Sequence, residues 1–254
     1  MIHEAAARGF AEAAEDYERG RPGYPPAAVE HLCEVLGIGP GRAVLDLAAG
    51  TGKLTRLLVP AGAEVVAVEP VEGMRAALAR ALPGVTALAG TAEDLPLPDA
   101  AFDAVVAGSA FHWFRGDEAL AEIHRVLRPR GGLGLLWNVR DESVPWVAEL
   151  SAIMEPHRGG APGYRAGAWR EAFARTALFS PLRRAEFRHV HRLAPEAVVA
   201  RVASVSFVAT LAESDRAAVL ARVRALLERY PATRGREVVE LPYRTDVWWC
   251  GALG

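Results

Sequence analysis

Lysine is nearly absent from this chain. Lys53 stands alone, and arginine supplies the other 28 of the 29 basic residues, a bias of genome composition before it is a statement about function. Cysteine is almost as scarce: Cys33 and Cys250 are far apart in the 254 residues and form no metal or redox motif, as suits a reducing cytosol. There is no excess of positive charge. With 31 acidic residues the formal net charge is −2, so the electrostatic footprint of a nucleic-acid binder is missing. The opening residues MIHEAAARGFAEAAEDYERG are charged and hold no long apolar stretch, which excludes a signal peptide or a membrane span there. Repeats and low-complexity segments are missing too. What remains is 51% hydrophobic and 24% charged, an ordinary composition for a protein with a sizeable core. No linker is long or flexible enough to demand a second domain.

Along the chain, short apolar runs alternate with helical patterns. An alanine-rich helix to about Glu18 is broken by "GRPGYPP", whose prolines and glycines cannot continue it. A helix over 27–36 follows. Strands are expected at 43–48, 64–70, 85–90, 102–109 and 131–139, with helices at 53–59, 72–82 and 117–128 between them. That alternation predicts an α/β fold with a parallel sheet covered on both faces. The last third differs. Helices are expected at 144–154, 167–175, 195–211 and 215–230, and strands at 182–193 and 243–252. In the last of these helices the apolar residues recur at helical spacing, so its arginines make a solvated face.

The stretch "LDLAAGTGKLT" (45–55) closes the first strand, and in an open α/β sheet ligands bind at such carboxyl ends. A P-loop is excluded, because Leu54 follows Gly52-Lys53 where Ser or Thr is needed. A dinucleotide fingerprint finds Gly50 and Gly52 but Thr55 in place of its third glycine. An NAD(P)-dependent oxidoreductase therefore remains the weaker alternative. The S-adenosylmethionine loop, acidic-x-Gly-x-Gly-x-Gly, is matched by Asp46, Gly50 and Gly52, with Ala48 in place of the first glycine. Glu69 ends the second strand, where an acid accepts from ribose hydroxyls. After the third strand, "GTAEDLP" sets Ala92 and Glu93 where a backbone N–H and a carboxylate meet an adenine; capping of the next turn is the competing role for Glu93.

"VLDLAAGTGKLT", "VAVEPVEGM", "GTAEDLPLPDAAFDAVVAGSAFHWF" and "EIHRVLRPRGGLGLLWN" together resemble the class I S-adenosylmethionine-dependent methyltransferases. "HWF", "YERGRPGYP" and "YRTDVWW" are similar to the branch related to trans-aconitate methyltransferases. The resemblance implies a Rossmann-like doubly wound sheet of seven strands, the last antiparallel. It also implies N-terminal helices and a helical insertion before the last strand. One methyltransferase domain over 1–254 is then expected: a helical lid over 1–40, a cofactor-binding core over 41–140, and substrate-side helices with the last two strands over 141–254. The same motifs imply that Pro70, Met74, Ser109 and Trp113 join the cofactor contacts. In related enzymes the N-terminal segment folds over the cofactor, which makes Tyr17 and Arg21 candidates for its methionyl carboxylate.

Methyl transfer from a sulfonium chiefly needs alignment. A carboxylate nucleophile needs no base, whereas a phenol, amine or thiol often does. His112 is the candidate base, with substrate or cofactor contact and a structural role as its rivals. Trp113 and Phe111 either wall the pocket or pack the core. Tyr24, Asn138 and Arg140 are substrate candidates, Arg140 as a bidentate partner for a carboxylate. His189 and His191 share a strand face without a third ligand, so no metal is expected. The expected activity is methylation of a small molecule, at oxygen and in particular at a carboxylate, in the cytoplasm, with neither nucleic acid nor membrane as partner. A protein that binds S-adenosylmethionine without turnover is the remaining alternative.

Overall fold

The computed structural model describes residues 21–160 and 162–254. The expected helix before Glu18, and Tyr17 with it, lie outside these residues. Helix α1 (Pro26–Leu36) begins on a proline at its first position, where the missing N–H costs nothing, and ends at Gly37 with φ 63°. There follow β1 (Ala43–Leu47), α2 (Thr55–Leu58), β2 (Glu64–Val68), α3 (Glu72–Ala81), β3 (Thr86–Leu88), β4 (Phe102–Gly108), α4 (Gly116–Val126) and β5 (Leu127–Arg140). The last third supplies α5 (Pro145–Met154), α6 (Arg170–Arg175), β6 (Arg183–Leu193), α7 (Pro195–Ala203), α8 (Ser206–Ala209), α9 (Glu213–Arg229) and β7 (Val239–Gly251).

The seven strands form one sheet in the order β3-β2-β1-β4-β5-β7-β6. Pairings from β3 to β5 are parallel, and β7 runs antiparallel to both β5 and β6. This is the expected Rossmann-like doubly wound sheet with its last strand antiparallel. Strand order reverses between β1 and β4, so a crevice opens beyond their carboxyl ends.

Side chains alternate between two faces. Leu45, Leu47, Val105, Ala107, Leu133 and Leu135 pack on one side with Leu120 and Ile123 of α4 and with Ala172 of α6. Val44, Ala104, Val106 and Leu136 pack on the other with Ala28 and Leu32 of α1 and Leu58 of α2. A third core is made by α5, α7, α8 and α9 against Leu193, Val239, Leu241 and Tyr243, where β6 ends and β7 begins. It forms a cap at the carboxyl edge of the sheet.

Several boundaries differ from expectation. The 195–211 helix is two, broken at Ser204–Val205, where the Ser204 hydroxyl donates to the Arg201 carbonyl at 2.9 Å and competes with the helix ladder. The 53–59 helix shrinks to α2, because Gly50 and Gly52 at φ 59° and 84° hold the preceding loop out of helix. β3 has three residues rather than six, as Thr91 and Asp94 close a turn right after it. β7 starts four residues early, because it pairs with β6 from Val239 to Trp249.

Candidate functional site

A cavity lies over the carboxyl ends of β1, β2, β4 and β5, with a smaller one beside it over the β1 loop. Arg21, Ala48, Gly50, Ser109, Asn138 and Arg201 are among the residues that line both. One wall of the large cavity is strand-end backbone. Ala48 (φ 54°) and Ser109 (φ 57°) hold left-handed conformations without being glycine, the kind of local strain that collects at binding sites. Ala48 is therefore not a free replacement for the glycine of the loop pattern.

Glu69 is 4% exposed and lines this wall. Its Oε2 accepts the Gly50 N–H and its Oε1 the Val71 N–H, each at 2.8 Å. Burial raises its pKa, against the two N–H groups and Arg75. Each oxygen keeps a second lone pair, so the carboxylate that shapes the loop retains accepting capacity on both oxygens. Pro70, Met74, Ala92 and Glu93 line the same wall. Glu93 Oε1 accepts the Arg115 N–H at 2.9 Å, just ahead of α4 and 22 residues away rather than in the turn that follows Glu93, and leaves Oε2 unused in that bond.

Asp46 is fully buried and lines only the small cavity. Its Oδ2 accepts the Thr55 hydroxyl at 2.6 Å. Burial pushes its pKa up to about 7, opposed by the Thr55 hydroxyl and N–H and assisted by Glu69. The threonine that spoils the dinucleotide pattern thus ties the acid to the start of α2. Gly52 corrects an expectation, since it lines neither cavity. A Cβ there would lie 3.1 Å from Leu78 Cγ, so the glycine serves the packing of α3 under the loop.

The opposite wall is aromatic and basic. Trp137 Nε1 donates to His112 Nδ1 at 3.1 Å. An indole N–H can only donate, so Nδ1 carries the lone pair and neutral His112 holds its proton on Nε2. Burial pushes its pKa down to about 3, with the charges of Arg21 and Arg158 adding to the fall. Trp137 stacks on Tyr164 with centroids 4.8 Å apart. The Tyr164 hydroxyl donates to buried Asp246 and accepts from Trp248 Nε1 at 3.1 Å. Trp113 and Phe114 line the cavity, while Phe111, 1% exposed, packs the core against Phe173 instead.

Two substrate candidates are differently employed. Tyr24 lines the small cavity, its hydroxyl 3.2 Å from Ser109 Oγ and its ring over Gly108, where a Cβ would lie 2.6 Å from that hydroxyl. Asn138 lines the large cavity with its amide committed. Nδ2 donates to the carbonyls of Pro22 (3.3 Å) and Gly23 (3.0 Å), and Oδ1 accepts from Thr245 (2.6 Å) and faces His189 Nε2 (3.2 Å). Arg140 does line the cavity, and burial pushes its pKa down to about 10, assisted by Arg201 and Arg165 and opposed by Tyr243 and Glu142. The sequence reading missed Arg158, Arg165, Arg201, Tyr164 and Tyr243, all in the lining.

Comparison with known proteins decides the family. A family model described as a methyltransferase domain matches residues 45–135. An uncharacterized methyltransferase of Mycobacterium tuberculosis is 43% identical over 236 residues, 93% of this chain and 92% of the relative. The chain is a class I S-adenosylmethionine-dependent methyltransferase. A putative type II methyltransferase structure from Anaeromyxobacter dehalogenans superposes on this methyltransferase with a TM-score of 0.66 at 25% identity, covering 91% of this chain and 97% of the other. A malonyl-[acyl-carrier protein] O-methyltransferase of Methylococcus capsulatus is 42% identical over 113 residues, 42% of this chain and 39% of the relative. The dinucleotide-dependent reading does not survive this membership. Among the described residues, no helix is long and apolar enough to cross a membrane.

Proposed function

We propose that this methyltransferase moves a methyl group from S-adenosylmethionine to an oxygen of a small organic acid, namely its carboxylate. When bound, the donor supplies an activated methyl on a sulfonium and departs as a neutral thioether. The residues present fit it. Glu69 retains lone pairs for ribose hydroxyls, Ala92 and Glu93 flank a place for the adenine, and Arg21 lines both cavities, where it reaches a methionyl carboxylate.

The observation that carries the oxygen assignment is the hydrogen bond from Trp137 to His112. It occupies the one lone pair that neutral imidazole has, so His112 donates from Nε2 rather than taking a proton. A side chain whose pKa is near 3 is also a poor proton acceptor at neutral pH. Carboxylate attack suits such a site, because no proton has to leave: the C–O bond forms as the C–S bond breaks, and its electron pair goes to sulfur. His112 then orients a substrate oxygen, and Arg140 among the cavity arginines draws the anion in. The relative named for O-methylation of malonyl-[acyl-carrier protein] adds support from sequence.

Transfer of labelled methyl to a panel of carboxylic acids, phenols, amines and thiols tests the reading. Label is expected in products that hydroxylamine cleaves, as esters are. Transfer to amines or phenols alone, in hydroxylamine-stable form, overturns it.

A further inference from the structure

Donors of Arg201 and Tyr243 are left unmet at one end of the large cavity, where Glu142 Oε1 and His191 Nδ1 are buried acceptors that also lack a hydrogen-bond partner. Arg140 ends β5, and Tyr243 is its register partner across the β5–β7 pairing, so the two side chains stand on one face of the sheet. α7 brings Arg201 to the same cavity. Arg201 Nε and Nη1 and the Tyr243 hydroxyl are buried with no hydrogen-bond partner among the described residues. Arg140 spends its Nε on Ser151 Oγ at 3.0 Å and feels the Glu142 carboxylate only electrostatically, with no ion pair to it recorded among the described residues.

The neighbouring arginines are neutralised. Arg158 pairs with Glu155 at 2.8 Å, and Arg165 pairs with Glu142. The two acids that line the cavity, Glu69 and Glu93, both belong to the turns after β2 and β3. Leaving buried donors unmet is costly, and leaving buried charge uncompensated is more so. Guanidinium nitrogens accept nothing, and a phenol gives one proton. The occupant that satisfies all three side chains is a group made of acceptors, carrying negative charge.

We infer that Arg140, Arg201 and the Tyr243 hydroxyl form an anion subsite that grips a second acidic group of the methyl acceptor. The inference rests on the reading of the site as one for a small organic acid, and it narrows that acid to one with two acidic groups. One is held here, and the other is presented to the donor. A carboxylate and a phosphate-type group share the needed chemistry.

The test is calorimetric titration of the full chain with S-adenosylhomocysteine held saturating. The probes are straight-chain dicarboxylates of four to eight carbons, their monocarboxylate counterparts, and the matching acids with a terminal phosphonate. At least one doubly acidic probe is expected to bind tenfold or more tightly than its monoacid. A carboxylate or a phosphonate winner identifies which group the subsite takes. In Arg201→Gln and in Tyr243→Phe the preference is expected to shrink at least fivefold, with S-adenosylhomocysteine affinity unchanged within twofold. Tyr243→Phe is also expected to melt no lower than wild type, since it removes an unmet polar atom. A purely structural tyrosine would lower both melting temperature and binding. Should Arg201→Gln fail to fold, Arg201→Lys and Tyr243→Phe carry the test.

No preference at any chain length, or a preference intact in both variants, overturns the subsite. So does a parallel loss of S-adenosylhomocysteine affinity in Arg201→Gln, which would assign Arg201 to the methionyl carboxylate. The two readings fail separately. A diacid that binds through these residues but receives no methyl sinks carboxylate methylation and supports the subsite. Monoacids methylated as well as diacids do the reverse.

Discussion

The two walls of the cavity are built from different materials. The wall proposed for the donor is main chain at the ends of β1, β2 and β4, bent into left-handed conformations at Ala48, Gly50 and Ser109 and held by Glu69. Its polar groups largely satisfy one another before any ligand arrives. The acceptor wall is long side chains from β5, β7 and the cap, and part of its hydrogen-bonding capacity is unspent. A backbone wall suits a ligand that does not change from one reaction to the next. A side-chain wall takes its specificity from a few residues that single substitutions can replace.

The sharpest way to break this contrast is at Glu69, whose two carboxylate oxygens hold the Gly50 and Val71 N–H groups. Glu69→Ala removes both loop hydrogen bonds and the proposed ribose acceptors, and charge-assisted bonds are worth about 1.5–3 kcal/mol each. S-adenosylhomocysteine affinity measured by titration is expected to fall by roughly 100-fold or more, on the scale of about 1.4 kcal/mol per tenfold. An intact affinity would remove Glu69 from the donor wall.

Asp46 comes next. Its folded pKa of about 7 lies above the ordinary aspartate value of 3.8, so between those values the folded state holds more protons than the unfolded one. Stability from this group is present at low pH and lost as pH rises from about 4 to about 7. Asp46→Asn cannot titrate. Melting curves from pH 4 to 8 should show the wild type losing ground to the variant through that window, by on the order of 4 kcal/mol at the upper end. A constant difference would contradict the assignment. His112 acts with the opposite sign. Its folded pKa lies below its ordinary value, so its protonation on unfolding lowers stability as pH falls from about 6.5 toward 3.

Ala48→Gly should have a smaller effect on the donor wall. Relieving a positive φ is worth about 1 kcal/mol, expected as a rise of roughly 2–4 °C in melting temperature for a chain of this size. The smallest expected effect is on the acceptor wall. Ester formation at saturating substrate should show no limb near pH 6.5, because His112 does not titrate there. A fall in rate below pH 6.5 that Trp137→Phe moves would restore the base role.

Sequence reasoning placed residues on the strand-end wall of the cavity far better than on the side-chain wall, and the way each wall is built explains why. Glu69, Ala92 and Glu93 follow their strands by fixed short steps, so the strand pattern locates them. Ala48 and Gly50 lie in one loop of recognisable spacing. Arg158 and Arg201 come from the cap, and only the packing of α7 and α8 against the sheet brings Arg201, Ser206 and Phe207 to the cavity. The break at Ser204 that splits these helices has only a weak signature, two serines among valines. His112 was found at the right place, but its partner Trp137 stands 25 residues away on β5, and that hydrogen bond turns the imidazole from acceptor to donor. Gly52 was legible as a glycine and misjudged in purpose, because Leu78 beneath it belongs to another helix.

The bond between Trp137 and His112 has an optical consequence. Trp137 faces the cavity, stacks on Tyr164 and has its ring centre 4.7 Å from that of Trp169, which in turn meets Trp248 at 5.5 Å. These indoles are close enough to share excitation, and the one nearest the ligand has its N–H tied to an imidazole. An acceptor that settles beside His112 disturbs the emission of the whole group, so the protein carries its own fluorescent reporter for the wall whose ligand most needs to be found.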